Sequence, residues 1–151
     1  MALTARLLNA YRHTRYVTDC VTVRIGHQSI AMDELLAAHR ARTAMFVTAW
    51  NPMSHPMQLR WNQRMQERLQ ARLRRCLTLP AEGVWRRWRE EHVLAFAAPA
   101  FVLRLARQFR QTAVVVVKRG QAAALMTSFP VFSPVNSMPR ARGAFSNPST
   151  M

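Results

Sequence analysis

Acidic residues and glycine are scarce in this 151-residue chain, and each scarcity excludes a class of site. Seven Asp and Glu residues stand against 22 Lys and Arg, which gives a formal net charge of +15. So few carboxylates leave little material for paired acid–base catalysis. The four glycines, Gly26, Gly83, Gly120 and Gly143, are too widely spaced to form a phosphate-cradling loop. P-loop and dinucleotide-binding motifs are therefore excluded.

Cysteine is also rare, and long apolar runs are missing. Two distant thiols, Cys20 and Cys76, fit a reducing cytoplasm better than a disulfide scaffold, and a single disulfide between them is the alternative. The cysteines and the five histidines lack the close spacing of a metal site, so we expect no metal and no cofactor. No apolar stretch reaches the roughly 18 residues of a membrane span, and the N-terminus lacks the pattern of a secretory signal. We expect a cytoplasmic protein.

The chain that remains is half apolar and long enough for one domain. Apolar periodicity predicts helices over 3–16, 29–42, 59–76 and 99–109, and strands over 21–25, 43–50, 77–79, 93–97, 112–117 and 121–126. Pro80 is expected to end the third strand, and residues 81–91 to form a loop. The prediction is a single small α/β domain, residues 1–126, with helices interleaved around a mixed sheet.

The last segment, residues 127–151, differs in composition. Proline and serine recur through it, at a density that sustains neither a helix nor a central strand. We expect a disordered tail.

The positive charge is nearly all arginine, because Lys118 is the only lysine. Five arginines repeat at intervals of four, four, four and three in the third helix: Arg60, Arg64, Arg68, Arg72 and Arg75. This spacing places them along one stripe, about 6 Å apart along the axis. Guanidinium groups suit phosphate oxygens, so the stripe predicts contact with a nucleic-acid backbone. A solvated helix face, with arginine favoured by base composition, is the alternative.

A second basic segment alternates aromatic and cationic side chains. It reads Trp85-Arg-Arg-Trp-Arg89, and Glu90 and Glu91 follow it. Trp85 and Trp88 could stack on unpaired bases while the arginines bind phosphates. Packing of both indoles at the edge of the core is the alternative.

A third set consists of polar residues at the predicted ends of helices and strands. Its members are Asn51, Ser54, Asn62, Glu82 and Gln111. Ligands of open α/β sheets bind beyond the ends of the strands, so these residues could line one pocket, with Glu82 as an acid or base. Ordinary turn chemistry is the alternative.

Several segments resemble a bacterial family, domain of unknown function 3293. They are TAWNPMSHP at 48–56, Asn62, LPAEG at 79–83 and LARQFRQTAVV at 105–115. The resemblance extends from about Tyr11 to Val117 and implies a small bacterial α/β protein, without assigning catalytic residues. The family pattern has glycine where Ala81 and Arg110 stand, and an acid where Trp61 stands.

Three functions stay open at this point. The first is a non-enzymatic domain that binds nucleic acid through the arginine stripe. The second is an enzyme or small-ligand binder that uses the polar set. The third is an adaptor that binds an acidic protein.

Overall fold

The computed structural model describes residues 3–129 of the chain. Its helices are α1 (Ala5–His13), α2 (Ile30–Ala38), α3 (Leu59–Arg72) and α4 (Pro99–Gln108). Its strands are β1 (Arg15–Thr18), β2 (Val21–Val23), β3 (Thr43–Val47), β4 (Leu77–Trp85), β5 (Trp88–Phe96), β6 (Ala113–Lys118) and β7 (Ala124–Thr127). The predicted α/β class is confirmed.

The strands form one curled sheet in the order β2-β1-β4-β5-β3-β6-β7. Every ladder between neighbouring strands is antiparallel, so the predicted mixed sheet is wrong in this respect. Within residues 3–129, the one parallel pairing is an isolated bridge between Ile25 and Ala123. That bridge joins residues beside the two edge strands and brings the edges together.

Each face of the sheet carries its own apolar core. On one face Leu69 of α3 and Leu105 of α4 pack on Met45 and Val47. The opposite face packs against α2 through Leu36. Strand β3 supplies both cores because successive side chains point to opposite faces. The predicted central strand, covered on both sides, is confirmed over residues 43–47.

Local signals explain why some elements match the prediction. Ser29 caps α2, since its hydroxyl accepts a hydrogen bond from the Met32 N–H at 3.1 Å. Pro99 occupies the first turn of α4, where a missing N–H costs nothing.

The first predicted helix is too long, because β1 begins inside it. Helix α1 ends at His13, and Thr14 bonds back to Ala10 through its backbone N–H and its hydroxyl. The next residues pair with β4, Tyr16 opposite Gly83. This pairing buries Tyr16 and Thr18 and overrides the local helical pattern.

The largest correction concerns residues 77–96, which form one long hairpin rather than two short strands around a loop. Pro80 lies within β4, opposite Val93. Its carbonyl accepts a hydrogen bond from the Thr18 hydroxyl at 2.8 Å, so its backbone faces the side of β1. The β1 ladder ends opposite Ala81, and the missing N–H of Pro80 therefore breaks no ladder bond.

The sheet also includes the start of the predicted tail. Thr127 pairs with Ala113, and the buried Ser128 donates its backbone N–H to the carbonyl of Thr112. The other predicted tail residues, from 130 onward, lie outside the described residues. Among residues 3–129, no helix combines the length and the apolar character needed to cross a bilayer.

Candidate functional site

The predicted arginine stripe lies on the outer face of α3. All five of its arginines are exposed, while Asn62, Gln66 and Leu69 form the buried face of the same helix. Arg60, Arg64, Arg68 and Arg72 are helical, whereas Arg75 lies in the turn that follows, because α3 ends four residues earlier than predicted. A four-residue step turns about 40° beyond a full circle, so the four helical arginines occupy a band rather than a line.

These arginines make no ion pair with any residue between 3 and 129. In the part of the chain that the structure describes, the one salt bridge joins Arg89 to Glu82 at 3.0 Å. Glu67, the only acid in α3, is exposed and lies beyond ion-pair distance of the neighbouring arginines. The face therefore carries uncompensated positive charge over about 18 Å, the rise of twelve helical residues.

The two predicted stacking residues lie together at the tip of the β4–β5 hairpin. Trp85 and Trp88 are cross-strand partners on either side of the exposed turn Arg86-Arg87. The guanidinium carbon of Arg86 lies 4.9 Å from the centre of the Trp85 ring, and His13 covers the same ring. Trp88 is 52 % exposed, so only Trp85 follows the packing alternative.

Three members of the predicted pocket come together at the end of β3. The Asn62 Oδ1 accepts the Asn51 backbone N–H at 3.0 Å, and the Asn62 Nδ2 donates to Asn51 Oδ1 at 2.9 Å. The Asn51 Nδ2 donates to Glu90 Oε1 at 2.7 Å. Gln111 is adjacent, since its Nε2 donates to the Trp50 carbonyl at 2.9 Å. This asparagine network ties α3 to β5.

The other two members of the predicted pocket contribute no side chain to this network, although the Ser54 backbone N–H donates to the Asn51 carbonyl at 2.9 Å. Glu82 projects from the sheet face opposite to that of Glu90, because Glu82 pairs with Glu91 and Gly83 pairs with Glu90. Both carboxylate oxygens of Glu82 accept hydrogen bonds from Arg89. Ser54 is exposed in the short 3₁₀ turn after β3. Glu82 is therefore not the acid of this cluster, and Glu90 takes that place.

The network holds strained backbone. Four residues here have positive φ, in the left-handed region that glycine prefers: Asn51 (46°), Met53 (54°), Ser54 (61°) and Arg110 (54°). The two loops touch, since the Met53 N–H donates to the Arg110 carbonyl at 2.7 Å. Such conformations persist where the surroundings over-determine them. The hydrogen bonds of the network thus hold the two loops in these conformations, which favours a structural role for Asn51 and Asn62.

Two tyrosines and a histidine lie beside Glu90, and sequence reasoning missed all four residues. Burial, together with the Glu90 charge, raises the pKa of Tyr11 to about 12. Burial also raises the pKa of Tyr16 far above its ordinary value. His92 packs edge-on against Tyr16 at 5.6 Å, and burial lowers the pKa of His92 although Glu90 opposes the shift. The available signal was the period-two pattern that places Trp88, Glu90, His92 and Leu94 on one face.

Two small cavities in the described part of the chain lie away from this cluster. One, about 10 Å³, lies between α2 and the start of β7, and the other, about 90 Å³, lies against β6 and β7. Within residues 3–129, no three His, Cys, Asp or Glu side chains converge as a metal site requires.

The buried histidine predicts acid sensitivity. Below its ordinary pKa of about 6.5, the unfolded chain binds a proton at His92 that the folded chain excludes. Stability then falls as the pH drops, by at most about 1.4 kcal/mol per pH unit from this group. We expect the free energy of unfolding of His92→Gln, measured in urea, to change less between about pH 7 and pH 5 than that of the unmodified protein. His39→Gln, a substitution at a half-buried histidine, serves as control, and equal slopes for the two variants would contradict the assignment.

The comparisons with known proteins agree with the resemblance read from the sequence. Residues 47–114 match the model of a family described as Protein of unknown function (DUF3293). The matched segment runs from the end of β3 to the start of β6 and contains the asparagine network, α3 and the hairpin. Among curated proteins and solved structures, none matches this chain. The chain thus resembles a domain of unknown function, and a specific activity has to be argued from its own residues.

Proposed function

We propose that this protein binds nucleic acid, mainly through phosphate contacts made by the arginine face of α3. The observation that carries the proposal is an exposed helix face whose arginines form no ion pairs with the residues that the structure describes: Arg60, Arg64, Arg68 and Arg72. Glu67 is exposed on the same helix and Glu91 accepts a hydrogen bond from Gln70 Nε2 at 3.4 Å, but within residues 3–129 neither carboxylate lies within ion-pair distance of these arginines. Its length of about 18 Å matches the rise of roughly five base pairs.

The buried side of α3 makes this face rigid. Asn62 Oδ1 accepts a hydrogen bond from the Asn51 N–H, just after β3. Gln66 Oε1 accepts one from the Ala49 N–H at 2.9 Å, and Leu69 packs into the core. A helix held at both ends presents its guanidinium groups without an ordering cost for the backbone. Trp85 and Trp88 belong to the same proposal as stacking residues for unpaired bases.

The test is fluorescence anisotropy with labelled single- and double-stranded oligonucleotides between about 50 and 200 mM salt. Four phosphate contacts predict a slope of log K against log salt near −3.6. The triple variant Arg64→Glu, Arg68→Glu, Arg72→Glu loses three of these contacts, so the magnitude of its slope should be smaller by about 2.7. We expect affinity at low salt to fall about 100-fold, because three charges on one face are inverted.

A charge-matched variant separates this face from the general field of the protein. Arg6, Arg12 and Arg24 are exposed and lie outside α3, and replacing them with Glu changes the net charge by the same amount. This control should keep most of the affinity and nearly the full salt slope. Equal losses in the two triple variants, or no binding by the unmodified protein at low salt, would refute the proposal.

A further inference from the structure

The tip of the β4–β5 hairpin presents an exposed indole and a carboxylate on one face. Trp88 and Glu90 are two residues apart on β5, so their side chains point the same way, with α-carbons about 7 Å apart. Trp85 and Gly83 lie opposite them on β4, and the His92 ring and the Thr14 methyl group fill the space over the glycine. A flat ring that stacks on the exposed Trp88 lies on the same side of β5 as the carboxylate of Glu90.

Within residues 3–129, Glu90 has no cationic partner, as is true of every acidic residue except Glu82, in a chain with a net charge of +15. The side-chain amide of Asn51 donates a hydrogen bond to Glu90 Oε1 at 2.7 Å. Each carboxylate oxygen accepts two hydrogen bonds, so acceptor capacity remains after the bond to Asn51. Asn51 is itself fixed by Asn62, and the orientation of Glu90 is set before any ligand arrives.

Two kinds of ligand combine a flat or cationic group with hydrogen-bond donors for a carboxylate: organic cations and nucleobases. The net charge of the protein repels cations and attracts phosphates, which favours a nucleobase. Guanine has two adjacent donors, N1–H and the N2 amine, on its Watson–Crick edge, and a carboxylate can accept both.

We propose that Trp88 and Glu90 form a site for an unpaired guanine, with the exposed Arg87 beside it for the adjoining phosphate. The inference rests on the proposed nucleic-acid binding and adds a base preference to it. We expect a preference of about tenfold over adenine, which corresponds to about 1.4 kcal/mol and lies within the range that a bidentate base contact contributes.

The test uses labelled single-stranded oligoadenylate with guanine, inosine or adenine at one central position. The readout is the ratio of dissociation constants, which we expect to be about tenfold for adenine against guanine and intermediate for inosine, which lacks the N2 amine. Glu90→Gln keeps an acceptor for Asn51 but loses one acceptor for guanine, and should reduce the ratio to below about twofold. Glu82→Gln, with the same change of charge on the opposite face, should leave the ratio intact.

The outcomes separate the base site from the phosphate face. A ratio near one in the unmodified protein, or a preference that persists in Glu90→Gln, overturns the guanine site alone if the α3 triple variant still loses affinity. If no oligonucleotide binds, both proposals fail. Should Glu90→Gln unfold, Trp88→Ala decides instead, because this exposed side chain can be removed without touching Asn51. If Trp88→Ala keeps the full preference for guanine over adenine, the proposed guanine site is refuted.

Discussion

Replacing Asn62 with alanine is expected to lower the free energy of unfolding by about 2–4 kcal/mol, a large part of the stability of a small domain. Asn62 is 3 % exposed, and its amide satisfies both the N–H and the side-chain oxygen of Asn51. Truncation leaves the buried Asn51 N–H without a partner, which costs about 1–3 kcal/mol, and it also removes one of the two hydrogen bonds to Asn51 Oδ1, which keeps the Met57 N–H at 3.0 Å. Urea unfolding followed by circular dichroism measures the loss.

Two variants distinguish the amide from the mere size of the side chain. Asn62→Asp keeps the acceptor for the Asn51 N–H but places a second oxygen against Asn51 Oδ1, so it should destabilise nearly as much as alanine. Gln63→Ala, at the exposed neighbouring position, should change stability by less than about 0.5 kcal/mol. A loss below about 1 kcal/mol in Asn62→Ala would mean that water replaces the amide and that the network is dispensable.

At Gly83, alanine is expected to destabilise the protein by about 1–3 kcal/mol, although glycine within a strand is normally the less stable choice. A Cβ at this position would lie 2.9 Å from Cε1 of His92. The ring cannot easily move, because it is buried and its Nδ1 lies 3.0 Å from the Glu90 carbonyl. Crowding therefore outweighs the gain in backbone entropy.

A double-mutant cycle tests this explanation. In a His92→Ser background the ring is gone, and Gly83→Ala should become neutral or stabilising by up to about 1 kcal/mol. The measurement is the free energy of unfolding of the four proteins in urea. Additive effects of the two substitutions would show that the cost at Gly83 arises elsewhere.

Local patterns were sufficient for the elements whose signals are local. Helix α2 has its cap at Ser29, α4 has Pro99 in its first turn, and β3 and β6 are apolar on both faces. Strand β1 and the middle of the long hairpin have no such signal. Their residues alternate polar and apolar only weakly, and they become strands because β1 pairs with β4 across more than sixty positions of sequence.

The candidate site divides in the same way. Asn51, Asn62 and Gln111 could be identified because turns and helix starts are recognisable in sequence. Glu90 could not, because the sequence predicts a loop over residues 81–91 and offers Glu82 as the acid of the pocket. Only the register of β4 against β5 assigns the two carboxylates to opposite faces. The left-handed Arg110, at a position where the resembled family has glycine, likewise becomes intelligible only from its backbone conformation.

The bridge between Ile25 and Ala123 affects whether copies of this chain can pair through their edge strands. The outermost strands, β2 and β7, contain three and four residues. The Gly26 N–H donates to the Ala123 carbonyl at 2.8 Å, and the Ala123 N–H donates to the His27 carbonyl at 3.1 Å, so backbone groups beside these strands are already paired. An incoming strand from a second molecule finds little template for intermolecular β-pairing, the usual route to aggregation of an open sheet.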